Sequence, residues 1–215
     1  MLSKGAVMGL IYLHMAGALG VTALSAEYPL VKTHTWAHFG IAVLSFIVLF
    51  AMFWTSPGPL KYILFATFAG CLGQMLGPLV DHLQDKGVLR QVLLMVAGVF
   101  AGMTALAFYD RNSFLGFGPY LLAGLLGLIV AQIVGIVLGL TGAVTAQTFR
   151  DMAQVFAWIG TVLFTVFVAY DTQQMKVRAG AMARSKTTNP DYIEASLNLY
   201  LDVINLFSNI GSLKS

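Results

Sequence analysis

Six times in 215 residues the chain runs for about twenty positions with almost no charge, and each run stops at a short polar break. The runs are Gly5–Leu24, Trp36–Trp54, Leu60–Val80, Val88–Tyr109, Phe117–Leu140 and Ala153–Lys176. About 20 residues of α-helix cross the roughly 30 Å hydrocarbon core of a bilayer, so each run has the length of one membrane span. Hydrophobic residues make up 58% of the chain and charged residues 10%, against about 45–50% and about 25% in soluble domains. Too little polar side chain remains to cover a water-facing surface, and lipid must solvate most of the fold. The sequence predicts one all-α, polytopic membrane domain over residues 1–215, with breaks short enough for neighbouring helices to run antiparallel.

A seventh span, Ile193–Leu213, is expected on different grounds, because it carries Asn198, Asp202, Asn205 and Asn209. Glu194, Asn198, Asp202, Asn205, Asn209 and Ser212 step by 4, 4, 3, 4 and 3, which puts them on one stripe of a helix. Leu197, Leu201, Ile204 and Leu206 fall on the opposite face, free to meet lipid or other helices. A polar stripe on an apolar helix reads as the lining of an interior or of a water-filled path, or as interhelical hydrogen-bonding glue. The first run follows Lys4 and ends in Ala23-Leu24-Ser25-Ala26, as a secretory signal does. Its length and its glycines favour a span, and no mitochondrial-type leader is expected.

With seven spans, Lys4, Lys61, Arg111, Lys176, Arg178, Arg184 and Lys186 fall on one side and Lys32, Lys86, Arg90, Arg150 and Lys214 on the other. The Lys176–Lys186 segment reads as a basic loop marking the cytoplasmic or equivalent face. A net charge of +3 with scattered bases leaves no nucleic-acid footprint. Cys71 is the single cysteine, so no internal disulfide forms. Gly73 with Gly77, and Gly135 with Gly139, have the small-xxx-small spacing of close helix contacts. Lys214 is the one lysine of the last segment and lies at its end, which excludes a retinal protein. His34 and His38 lack further ligands nearby, and no serine and histidine combine as in an intramembrane protease. No enzyme chemistry and no bound cofactor are expected.

Two acids lie well inside the spans, Asp171 and Asp202. A carboxylate at the bilayer centre costs about 2.5–3.5 kcal/mol on insertion scales, so neither can face lipid. If they converge they form a coupled pair sharing one proton, a pH-dependent cation site to which Ca²⁺, a seeker of carboxylate and carbonyl oxygens, is suited. Asn198, Asn205, Asn209, Glu194 and Asp81 are the candidate lining of the pathway, with Asp81 capping a helix end or lining an entrance.

Tyr170-Asp171-Thr172-Gln173-Gln174, Asp191-Tyr192-Ile193 and the stretch Leu199 to Phe207 resemble the C-terminal signature of the Bax-inhibitor-1 family, the transmembrane BAX inhibitor motif proteins. Gly73 to Asp81, with its Gly77-Pro78 step, is similar to the family's third helix. Ala16 to Ala26 and Ser56-Pro57-Gly58-Pro59 look most like the growth-hormone-inducible, mitochondrial inner-membrane branch, which implies that or another internal membrane and leaves a bacterial or viral host membrane open. The resemblance implies a seven-helix bundle with the last helix central. It also implies a pH-sensitive Ca²⁺ leak or Ca²⁺/H⁺ exchange gated by an aspartate pair, here Asp171 and Asp202, which would also hold the Ca²⁺. A scaffold that modulates apoptosis through other membrane proteins is the alternative. Relatives often carry an arginine cluster after the second or fourth span, where this chain has Lys61 and Arg111 alone.

Overall fold

The computed structural model describes residues 2–28, 35–110, 113–185 and 190–215. Seven α-helices account for nearly all of them: α1 (Lys4–Glu27), α2 (Thr35–Trp54), α3 (Pro59–Asp85), α4 (Leu89–Tyr109), α5 (Gly118–Leu140), α6 (Ala146–Arg184) and α7 (Tyr192–Lys214). A 3-10 turn, Ser113–Phe117, leads into α5, and no strand occurs among the described residues. Six helices, α1 to α6, are long and apolar enough to cross a membrane. They present Phe46, Phe50, Leu94, Ile129, Ile133, Val162 and many similar side chains outward, as lipid-facing helices do. The chain is thus an all-α, multi-pass integral membrane protein. Lys32, His34, Arg111 and Lys186 lie outside the described residues.

Helix α6 overruns its expected bounds at both ends. The break expected over Thr141–Asp151 shrinks because Thr145 starts α6 early, its hydroxyl accepting the Thr148 N–H at 3.1 Å and its carbonyl the Phe149 N–H at 2.9 Å. At the other end the basic segment after Lys176 is helix as far as Arg184 rather than loop. Met, Lys, Val, Arg and Ala sustain helix well, and Gly180 alone does not stop it. Between α5 and α6 the chain turns on Gly142, which holds a left-handed φ of 69° while Ala143 N–H reaches back to Leu138 at 3.0 Å.

The chain forms two compact units: Met1–Asp85 with Met175–Leu201, and Lys86–Gln174 with Asp202–Ser215. In the first, α1 and α2 both pack on α3. Gly73 lets α1 close on α3, since a Cβ there would stand 2.7 Å from the Ser25 Cβ and would run into the Thr22 carbonyl oxygen. At the same level the Thr22 hydroxyl lies 3.0 Å from the Ala69 carbonyl and 2.7 Å from the Tyr200 hydroxyl of α7. The Tyr200 ring, fully buried, meets Phe65 and Phe68 edge-on. Buried Lys61 pairs with Asp191, whose other oxygen accepts the Glu194 N–H at 3.0 Å and so caps α7. His14 lies between the rings of Tyr62 and Tyr192 beside that ion pair. Lys61, the lone base expected where the second span gives way to the third, is therefore engaged at the head of α7.

In the second unit the glycine spacing of α5 has the use predicted for it. Gly135 receives Phe156 and Met152, and Gly139 receives the Phe149 ring, all from α6.

Gly73→Ala is expected to lower the melting temperature in detergent by the equivalent of about 1–3 kcal/mol, the usual cost of overpacking. Gly127→Ala, where a new Cβ meets nothing within 4 Å, is the matched control and should melt at or above the wild-type temperature.

Candidate functional site

The second unit brings Asp171 of α6 and Asp202 of α7 together. Their carboxyl groups are hydrogen-bonded to each other, and they are 6% and 3% exposed, which puts both out of reach of bulk water. The Oδ2 atom of Asp202 is buried with no hydrogen-bond partner among the described residues. A buried carboxyl oxygen left open in this way is an acceptor ready for a proton, a water or a cation.

The helix that carries Asp202 is enclosed far more fully than a stripe requires. No residue from Ala195 to Gly211 is exposed. Leu197, Ile204 and Leu206, expected on a face free to meet lipid or other helices, are buried. The polar side makes α7 too hydrophilic to count among the six apolar helices, and enclosure on every side is what makes it tolerable in a membrane protein.

The other predicted residues divide. Asn205 and Asn209 are half-buried on the second-unit part of α7. Asn209 donates its amide to the Asn205 carbonyl at 2.7 Å and fills the space left by Gly160 of α6, where a Cβ would stand 2.7 Å from its Cγ. Asn209 is thus a packing residue of the α6–α7 contact. Asn198 is half-buried in the first unit. Glu194 is exposed there, with Arg178 at 3.4 Å, and Asp81 is exposed near the end of α3. Neither exposed acid belongs to a buried polar group. Among the described residues no three His, Cys, Asp or Glu side chains gather as a metal site, which leaves the carboxyl pair with neutral oxygens as the available donor set.

Several polar residues of this unit lay outside the sequence-derived site. Gln173, fully buried, donates to Oδ2 of Asp110 at 2.8 Å, and its own Oε1 has no partner among the described residues. The Thr172 hydroxyl is likewise buried and unpartnered. Gln174 donates to the Tyr170 hydroxyl at 2.5 Å, and the Tyr170 ring sits on Gly118 at the start of α5. The one available signal was the polar run Asp171 to Gln174 inside a long apolar helix, since polar groups at that depth need partners. Asp110 gave none, because an acid closing a helix usually faces water.

The sequence model of the family described as "Inhibitor of apoptosis-promoting Bax1" matches residues 5–213. The growth hormone-inducible transmembrane protein of Rattus norvegicus is 28% identical over 94% of this chain and 60% of its own length. Bax inhibitor 1 of Schizosaccharomyces pombe is 29% identical over 94% of this chain and 66% of its own length. A protein of Caulobacter vibrioides is 30% identical over 95% of this chain and 75% of its own. The chain thus spans less than two thirds of the length of the first two relatives.

If Asn209 packs as described, Gly160→Ala should loosen the α6–α7 contact and lower the melting temperature. The double variant Gly160→Ala with Asn209→Ala should recover most of that loss, because it vacates the space the new methyl needs.

Proposed function

The chain belongs to the Bax inhibitor family, and we propose that it passes Ca²⁺ across its membrane, as a leak or in exchange for H⁺, under the control of the Asp171–Asp202 pair. The observation that carries this reading is a buried pair of carboxyl groups bonded to each other with one oxygen still open. A hydrogen bond between two carboxyl groups holds one proton. Losing it creates two adjacent charges, a state that favours a divalent cation over water alone. Gaining a proton removes the attraction, so proton and Ca²⁺ compete for the same oxygens.

Two carboxylates with amide and carbonyl oxygens form a weak Ca²⁺ site. Passage needs binding that is favourable enough to admit the ion and weak enough to release it. Asn198 and Asn205 supply neutral oxygens along the same stripe of α7, which acts as a seventh, enclosed span. The internal membrane of residence is of the kind named for the mitochondrial branch, or a bacterial membrane. The role is transport rather than catalysis, with Ca²⁺ and H⁺ as cargo and no cofactor.

A second reading is supported by the description "Inhibitor of apoptosis-promoting Bax1". Here the pair fixes α6 against α7 in a non-transporting scaffold that acts on other membrane proteins.

Ca²⁺ flux into proteoliposomes followed from about pH 5 to 8, in which a shared proton is gained or lost as the pair titrates, separates the two. Wild type should give a pH-dependent flux, and Asp171→Asn and Asp202→Asn should melt near the wild-type temperature while losing that pH dependence. Absence of wild-type flux, or variants that merely unfold, would favour the scaffold.

A further inference from the structure

The face of α6 away from Asp202 is held as firmly as the face that carries Asp171. On a helix, position 173 lies about 200° around from position 171, so Asp171 and Gln173 point to nearly opposite sides. Asp171 meets Asp202 of α7, while Gln173 meets Asp110, the residue that closes α4 and accepts the Ser113 N–H and hydroxyl at 2.8 and 2.6 Å. Tyr170, one turn before Gln173 and Gln174, rests on Gly118, where a Cβ would stand 2.7 Å from its hydroxyl. Asp110 and Gly118 therefore hold α6 at Gln173 and Tyr170, within one turn of Asp171.

We propose that the Asp110–Gln173 hydrogen bond is a clamp that sets the rotation of α6 and so the closeness of Asp171 to Asp202, which makes Gln173 and Asp110 positioning residues for the pair. The proposal rests on the reading of that pair as the control point. The clamp is a poor choice if it serves only stability. It leaves Oε1 of Gln173 buried and unpartnered, a condition that an apolar side chain of similar volume would avoid. Its acidic member is half-buried at a helix end, so the bond can be broken from the surface side without opening the interior. Rotating α6 to part Asp171 from Asp202 has to pull Gln173 off Asp110. The clamp and the pair therefore make and break together.

Among the described residues, the titratable groups set against this part of α6 include Asp202 from α7, Asp110 from the end of α4, and Tyr170 on α6 itself beside Gly118 of α5. The test reads the pair directly, through the infrared C=O stretch of its protonated carboxyl in the full-length reconstituted protein. Loss of the band in Asp171→Asn and Asp202→Asn assigns it.

Gln173→Leu and Asp110→Ala should each displace the pH at which the band vanishes by about half a unit or more, a factor of about three in proton affinity. Both should move it in the same direction, and the double variant should move it no further than the larger single change. Asp110→Asn keeps an acceptor for Gln173 and should stay near wild type. The clamp is overturned if the midpoint is unmoved in folded Gln173→Leu, if the double variant is additive, or if Asp110→Asn shifts it as far as Asp110→Ala. The last result would mean that the charge of Asp110 acts on the pair through space. Gln173→Leu removes an unsatisfied buried atom and is the variant to rely on should Asp110→Ala fail to fold. A wild-type spectrum without the band would remove the shared proton and the clamp with it. A band that shifts as expected in a protein with no Ca²⁺ flux would retain the clamp and discard only the transport reading.

Discussion

Hydrocarbon offers no hydrogen bonds, and that single property accounts for where the polar side chains of this protein lie. The backbone answers it by being helical nearly throughout. The side chains answer it by pairing: Thr22 with Tyr200, Lys61 with Asp191, Gln173 with Asp110, Asp171 with Asp202. Each pair joins different helices, so the same bonds that satisfy buried groups also fix which helix faces which. The unpartnered oxygens of Thr104, Thr172, Gln173 and Asp202 all belong to the unit that holds the carboxyl pair. A buried polar atom left open is a place for a water or a cation.

Pairing across helices requires close approach, and in a membrane there is little hydrophobic force between helices to produce it. Glycine makes it possible by shape. Gly73 admits the α1 backbone, Gly118 the Tyr170 ring, Gly139 the Phe149 ring and Gly160 the Asn209 amide. Three of these, Gly118, Gly139 and Gly160, seat residues of α6 and α7 in the unit that holds the carboxyl pair. Small residues are thus part of the site although they contribute no chemistry to it. Their effect is to hold two acids in contact that would otherwise separate toward water.

A carboxyl pair held this way is a compromise between stability and use. Replacing both acids by apolar residues of like volume is the change that buried ion networks often tolerate best. The membrane context raises the cost of keeping them, so a function that needs a titratable group at that position is the natural reason for their presence. The proposed clamp at Gln173 follows the same logic: its Oε1 is left unsatisfied, and it lies on α6 two residues from Asp171.

Much of this was legible in the residues. Apolar runs of bilayer length fixed six helices, since span length follows from hydrocarbon thickness and needs no tertiary information. The step of 3 and 4 along Glu194 to Ser212 identified α7 and singled out Asp202, because helical period is a local property. The ends of α6 were misjudged: the caps and propensities that extend it are worth about 1 kcal/mol each, small beside the hydropathy signal on which the bounds were drawn. The enclosure of Leu197 and Leu206 was implied only by the family resemblance, and the engagement of Lys61 by Asp191 and the packing role of Asn209 could not be read at all. Sequence determined that this chain lives in a membrane, which stretches are helices, and that Asp171 and Asp202 must turn away from lipid, because each follows from the free energy of transferring a residue between water and hydrocarbon. Only the tertiary structure decided that the two acids turn toward each other and that Gln173 turns to Asp110, because which helix faces which depends on the complementary shapes of surfaces distant in the chain.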